Sequence, residues 1–121
     1  MDNSQIIKAD GYEIIRDGNA IFCKGALRLS GMDEYAQIIE LFNQVASEAS
    51  SLIILDLRKL EFLNSSGINV LSKFVMKVRQ KENVQVLVKG SQKIPWQGKS
   101  LKNLQRLMPG LNLEWDDGSM S

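Results

Sequence analysis

Apolar and polar positions change period several times along the chain. Tyr12–Arg16 alternates, Asp17-Gly18 follows, and Asn19–Gly25 alternates again. Gly takes a positive φ cheaply and Asp tolerates one, so the stretch reads as two strands joined by a tight hairpin. Leu27–Met32 reads as a loop that turns at Ser30-Gly31. From Asp33 to Ala49 the period lengthens. Tyr35, Ile38, Ile39, Phe42, Val45, Ala46 and Ala49 share one helical face, with Glu34, Gln37, Glu40, Gln44 and Glu48 elsewhere. Ser30 or Asp33 is the cap. Leu52–Leu57 is a short apolar run, the pattern of a buried strand. Ile68, Leu71, Phe74, Val75 and Val78 then mark a helix from Ser66 to about Glu82. Val84–Val88 is β-branched and apolar, a further strand. Leu52–Val88 is thus a strand–helix–strand unit, parallel and right-handed in its crossover. Lys89–Ser100 reads as a loop, Leu101–Met108 as a short helix stopped by Pro109-Gly110, and Leu111–Trp115 as a last strand.

These elements predict one α/β domain: a mixed sheet of four or five strands, hairpin first, with helices mainly on one face. Residues 1–10 are expected as a flexible lead-in, 11–115 as the domain, and 116–121 as a flexible polar tail.

Composition narrows the function more than the fold. The chain has 121 residues, enough for one core, and its 44% hydrophobic and 24% charged content suits a globular domain. A net charge of +1 selects neither nucleic acid nor a membrane surface. No apolar run approaches the ~20 residues of a membrane span, and Met1-Asp2-Asn3-Ser4 does not open a signal peptide. Cys23 is the only cysteine, so no internal disulfide can form and a reducing, cytoplasmic setting is expected. Its place between apolar neighbours reads as a small buried hydrophobe. There is no His, which removes the commonest general base and metal ligand. No catalytic residue, metal or cofactor is therefore assigned, and the chain reads as a non-enzyme.

The chemistry concentrates at Leu60-Glu61-Phe62-Leu63-Asn64-Ser65-Ser66-Gly67. Two hydroxyls stand where a strand hands over to a helix, the edge at which open α/β sheets tend to place their sites. The first helical N–H groups lack partners within the helix, and Asn64 or a serine can accept from them. The same groups and the helix dipole favour an anion. A phosphate on Ser65 or Ser66 adds about −1.5 to −2 charges and three acceptor oxygens. The fold would tolerate it, while a partner docked at the helix mouth would not.

Asp56-Leu57-Arg58-Lys59-Leu60-Glu61-Phe62-Leu63-Asn64-Ser65-Ser66-Gly67-Ile68 resembles the signature of STAS domains of the anti-sigma factor antagonist type. In that family a strand ends in Asp, a hydrophobic segment follows, and Asp-Ser-Ser-Gly opens a helix. The likeness in element order covers roughly Gly11–Trp115. It implies a bacterial, cytoplasmic phosphoprotein of signal transduction and transcription regulation that works by partner switching. Its unmodified form docks on an anti-sigma factor that doubles as a serine kinase; phosphorylation of Ser65 releases it, and a serine phosphatase resets it. Asn64, Ser66, Gly67, Arg58 and Ile68 would form the helix-mouth docking surface, with Lys59 and Glu61 nearby. Asn64 departs from the family, which has Asp there.

Other readings compete. The fold can serve as a scaffold that is never phosphorylated, or as a nucleotide- or lipid-binding module. A small hydrolase would use Ser65 as nucleophile, with Lys or an acid as base. Asp56 could pair with Ser65, or simply bond its own turn. Gly98-Lys99-Ser100 hints at a phosphate-binding loop, but Lys93 stands where the leading Gly is needed and Pro95 removes a donor. Lys93, Trp96 and Lys99 lie in a segment without acids. They form either a secondary interaction loop, with Trp96 as its anchor, or a tryptophan folded onto the domain edge.

Overall fold

A hairpin leads the chain into its sheet. β2 (Tyr12–Asp17) and β3 (Ala20–Leu27) pair antiparallel around Gly18, whose φ of +61° the tight turn requires. The computed structural model describes residues 4–116. Ser4–Ala9 is not a loose lead-in: it forms β1, antiparallel to β2. The polar tail after Asp116 lies outside the described residues. β4 (Leu52–Leu63), β5 (Gln85–Ser91) and β6 (Asn112–Asp116) join in parallel, so the six strands lie side by side in chain order. The sheet is mixed as expected, and larger than the four or five strands predicted.

The helices occupy the three parallel connections. α1 (Gly31–Glu34) and α2 (Ala36–Glu48) join β3 to β4; α3 (Ser65–Arg79) joins β4 to β5; α4 (Pro95–Leu107) joins β5 to β6. Successive right-handed crossovers in one direction put the helices on one face. Burial alternates accordingly. Ile14, Ile21, Cys23, Ile53, Leu55, Val86 and Val88 are buried, while Ile15, Phe22, Ile54 and Leu87 are only half-buried. Strand register lines up Ile6, Ile15, Phe22, Asp56, Lys89 and Glu114 as one row across the open face.

β4 and α4 depart furthest from the sequence expectation. β4 runs six residues past Leu57, and its pairing with β3 shifts register twice. Each shift inserts an extra residue, so Leu57, Leu60 and Leu63 all turn to the core at a spacing of three. α4 starts at Pro95, not Leu101; proline suits a first helical position because its missing N–H has no helical partner there. Gly98-Lys99-Ser100 therefore lies inside a helix and forms no phosphate loop.

Long polar side chains close the framework. Lys81 Nζ donates to the carbonyls of Ala46, Ser47 and Ala49, filling acceptors at the end of α2. Arg16, 2% exposed, bonds Gly18 O and Glu48. Arg79, at the end of α3, donates to Leu107 O.

Candidate functional site: the mouth of helix α3

The mouth is organised by Asn64. Its backbone is extended (φ −82°, ψ 177°), and its side chain caps α3 by accepting from Gly67 N–H at 2.9 Å. The same Oδ1 accepts from Tyr35 Oη at 2.7 Å, and Nδ2 donates to Leu29 O at 2.7 Å. Its backbone N–H donates to Leu27 O and its carbonyl accepts from Ile68. Every polar group of Asn64 is thereby used. The Nδ2 bond gives this chain a reason to carry Asn rather than Asp: a carboxylate would set a second oxygen against Leu29 O with no proton between them.

Gly67 is fixed by packing. A Cβ there would lie 2.7 Å from Tyr35 Oη and closer still to Leu63. Tyr35 is fully buried, and burial raises its phenol above the usual range, so it stays a neutral donor. Sequence reading placed Tyr35 in the core but missed its hydroxyl. The available signal was a tyrosine in an otherwise aliphatic stripe, because a buried phenol needs a partner.

Ser65 opens the helix, and its side chain is exposed. Ser66 and Ile68 are half-buried beside it. No acid occupies the first turn of α3, so nothing there opposes an added anion. The surrounding rim holds Phe62, 39% exposed, with the Arg28 guanidinium 4.6 Å from its ring centroid. Neither residue was picked out from sequence, where an arginine at a strand end gives no cue.

Arg58, seven positions before Ser65 on β4, grips the Asp56 carboxylate. Its Nη2 donates to Oδ2 at 2.7 Å, Nε reaches both oxygens, and its backbone N–H donates to Oδ1 at 3.1 Å. Burial alone would raise Asp56. The side-chain and backbone bonds from Arg58, with the charges of Arg58 and Lys89, hold it below the usual carboxylate range instead. Asp56 is therefore committed to Arg58 and is no base for Ser65. Lys59 and Glu61 are exposed along the irregular part of β4. Cys23 is buried; burial, helped by the Asp56 charge, pushes its thiol up to about 12, which makes it inert.

The segment read as a secondary interaction loop is mostly helix. Lys93 is exposed just before α4, while Trp96 and Lys99 belong to it. Trp96 Nε1 donates to Leu60 O at 3.1 Å. Fully buried Gln97 donates to Leu57 O and Leu60 O and accepts from Ser91 N–H. Sheet pairing of β4 with β5 ends at Asp56, so these side chains serve carbonyls beyond it. Trp96 is folded onto the domain edge, the second of the two readings open to it.

No family model and no curated protein matches the chain. Solved structures do. SiaC of Pseudomonas aeruginosa is 12% identical, with a TM-score of 0.66 over 97% of this chain and 98% of that one. A chain of the crystal structure of the diguanylate cyclase SiaD in complex with its activator SiaC, from the same organism, is 11% identical; the TM-score is 0.67 over 93% and 99%. Apo-SiaC is 12% identical, with a TM-score of 0.68 over 92% and 98%. At such identities the likeness is one of fold. The fold class is the STAS-like α/β domain read from the sequence. No helix among the described residues is long and apolar enough to cross a membrane.

Proposed function

We propose that this chain is a non-enzymatic regulatory module that docks on a partner protein through the mouth of α3 and is switched by reversible phosphorylation of Ser65. One observation carries the reading: an exposed hydroxyl at the first position of a helix whose own cap, Asn64, is already closed by five neighbours. A phosphate on Ser65 needs no unfolding to form and displaces none of those bonds. It places a dianion at the helix mouth, where a docked partner would have to desolvate it. A loss of about 3 kcal/mol would weaken docking more than a hundredfold.

By resemblance, the writer is an anti-sigma factor with serine kinase activity, using its own bound ATP, and the eraser is a serine phosphatase. The likeness in fold to SiaC, which the SiaD complex names as an activator of a diguanylate cyclase, widens the partner class to a signalling enzyme that is turned on by docking. The non-phosphorylated scaffold reading loses its main support, because the Trp96 indole N–H is engaged by Leu60 and Asn64 has a structural reason.

The test is a pull-down from the native host with Ser65→Ala and Ser65→Asp proteins, followed by identification of what each retains. The switch predicts a partner held by the alanine form and lost by the aspartate form. Equal retention by both forms would overturn it.

A further inference from the structure

Arg28 sits between two residues that the α3 cap bonds directly. Asn64 bonds the backbone on both sides of it: Asn64 N–H donates to Leu27 O at 3.2 Å and Asn64 Nδ2 donates to Leu29 O at 2.7 Å. Leu27 and Leu63 are paired across the sheet at the same level. The Arg28 backbone is thereby clamped against the N-cap residue, one peptide from Ser65. A peptide step is about 3.8 Å, which puts the two α-carbons on the order of 10 Å apart. An extended arginine and a phosphoserine together span that gap.

The side chain is also available. Arg28 is exposed and, among the described residues, has no carboxylate within ion-pair distance. Its guanidinium rests over the half-exposed Phe62 ring, a weak contact at an exposed site. A charge-assisted, two-pronged bond to a phosphate is stronger than that stack. Arg28 therefore has two seats, and the charge at Ser65 selects between them.

We propose that Arg28 reads the state of Ser65: parked on Phe62 when the hydroxyl is free, and drawn onto the phosphate when it is modified, which uncovers the Phe62 ring. The regulatory meaning rests on Ser65 being the modified residue, but the contact itself does not. Arg28 is a positioning residue for the docking rim. Modification then changes both the charge of the rim and the aromatic surface it presents.

The experiment keeps the two ideas apart by installing phosphoserine at position 65 of the full chain during synthesis, with no kinase involved. Phosphorus NMR then follows the second ionisation of the phosphate, with and without Arg28→Gln. A guanidinium at the phosphate favours the dianion, so its titration midpoint should fall by on the order of half a unit relative to the Arg28→Gln protein. Arg28→Lys should recover part of the shift, since lysine supplies the charge without the planar fork. The Phe62 ring protons should move on phosphorylation in the parent protein and stay put in Arg28→Gln. Identical midpoints in the parent and Arg28→Gln proteins, or a Phe62 response that persists without Arg28, would overturn the proposal. Either result leaves the pull-down test of Ser65 standing.

Discussion

Two helices start at the same edge of the sheet and use their polar residues in opposite ways. At the mouth of α3 the cap residue turns inward, where Tyr35, Leu29 and Gly67 consume it, and Ser65, which follows, is left to solvent. At the mouth of α4 no side chain caps the helix; Trp96 and Gln97 turn instead toward β4 and bond its carbonyls. The difference teaches that a polar cluster at a helix mouth is a site only where its hydrogen-bonding capacity is unspent. α4 is structural by this measure, and α3 offers a free hydroxyl over a closed foundation.

The sharpest way to break the comparison is at α4. Gln97→Ala leaves Leu57 O and Ser91 N–H buried without a partner, while Leu60 O keeps Trp96. A loss of about 3 kcal/mol in urea unfolding is expected. A change below about 1 kcal/mol would mean that water replaces Gln97 and that α4 is no anchor.

Next comes the foundation of α3. Gly67→Ala forces a methyl against Tyr35 and Leu63 and should cost about 2 kcal/mol, depending on how far Leu63 yields. Asn64→Asp keeps the cap and the acceptor for Tyr35 but loses the donor to Leu29, at about 1 kcal/mol. If Asn64→Asp were stabilising, the structural reason for asparagine would be wrong.

A smaller effect marks the open face. The folded Asp56 carboxyl lies below its ordinary value, so its contribution is present above the unfolded value of about 3.9 and disappears as pH falls through the depressed folded one. Solvent reaches Arg58, so the pair is worth about 1 kcal/mol or less. Arg58→Gln should lower the neutral plateau by that amount and flatten the acid limb, the two curves converging once Asp56 is protonated. The smallest effect is at Ser65 itself: Ser65→Asp should alter stability by no more than about 0.5 kcal/mol, because an acid in a first helical turn is favourable.

Legibility in the sequence followed periodicity. The hairpin, α2, α3 and β5 have one clean period each and were readable. The second half of β4 was hidden because its bulges change the core spacing from two to three, so Leu57, Leu60 and Leu63 do not look like a strand. β1 was missed because Ser4–Ala9 is an edge strand with Ile6 left 66% exposed, which gives little alternation to detect. α4 was cut short by Gly98 and by polar Gln97, whose partners lie some 40 residues earlier and cannot be inferred locally. The motif itself located the Asn64–Gly67 cap; the grip of Arg58 on Asp56 was not legible in it. Arg28 enters only through strand pairing, which a single sequence does not display.

The account stands or falls on Ser65 as the group that is written and erased. Peptide-level mass spectrometry of the protein recovered from its native host, with and without Ser65→Ala, tests this most directly. The account predicts a phosphate on the fragment spanning Ser65 in the parent protein and none in the variant. Phosphate retained at the same stoichiometry after Ser65→Ala, on Ser66 or elsewhere, would contradict it.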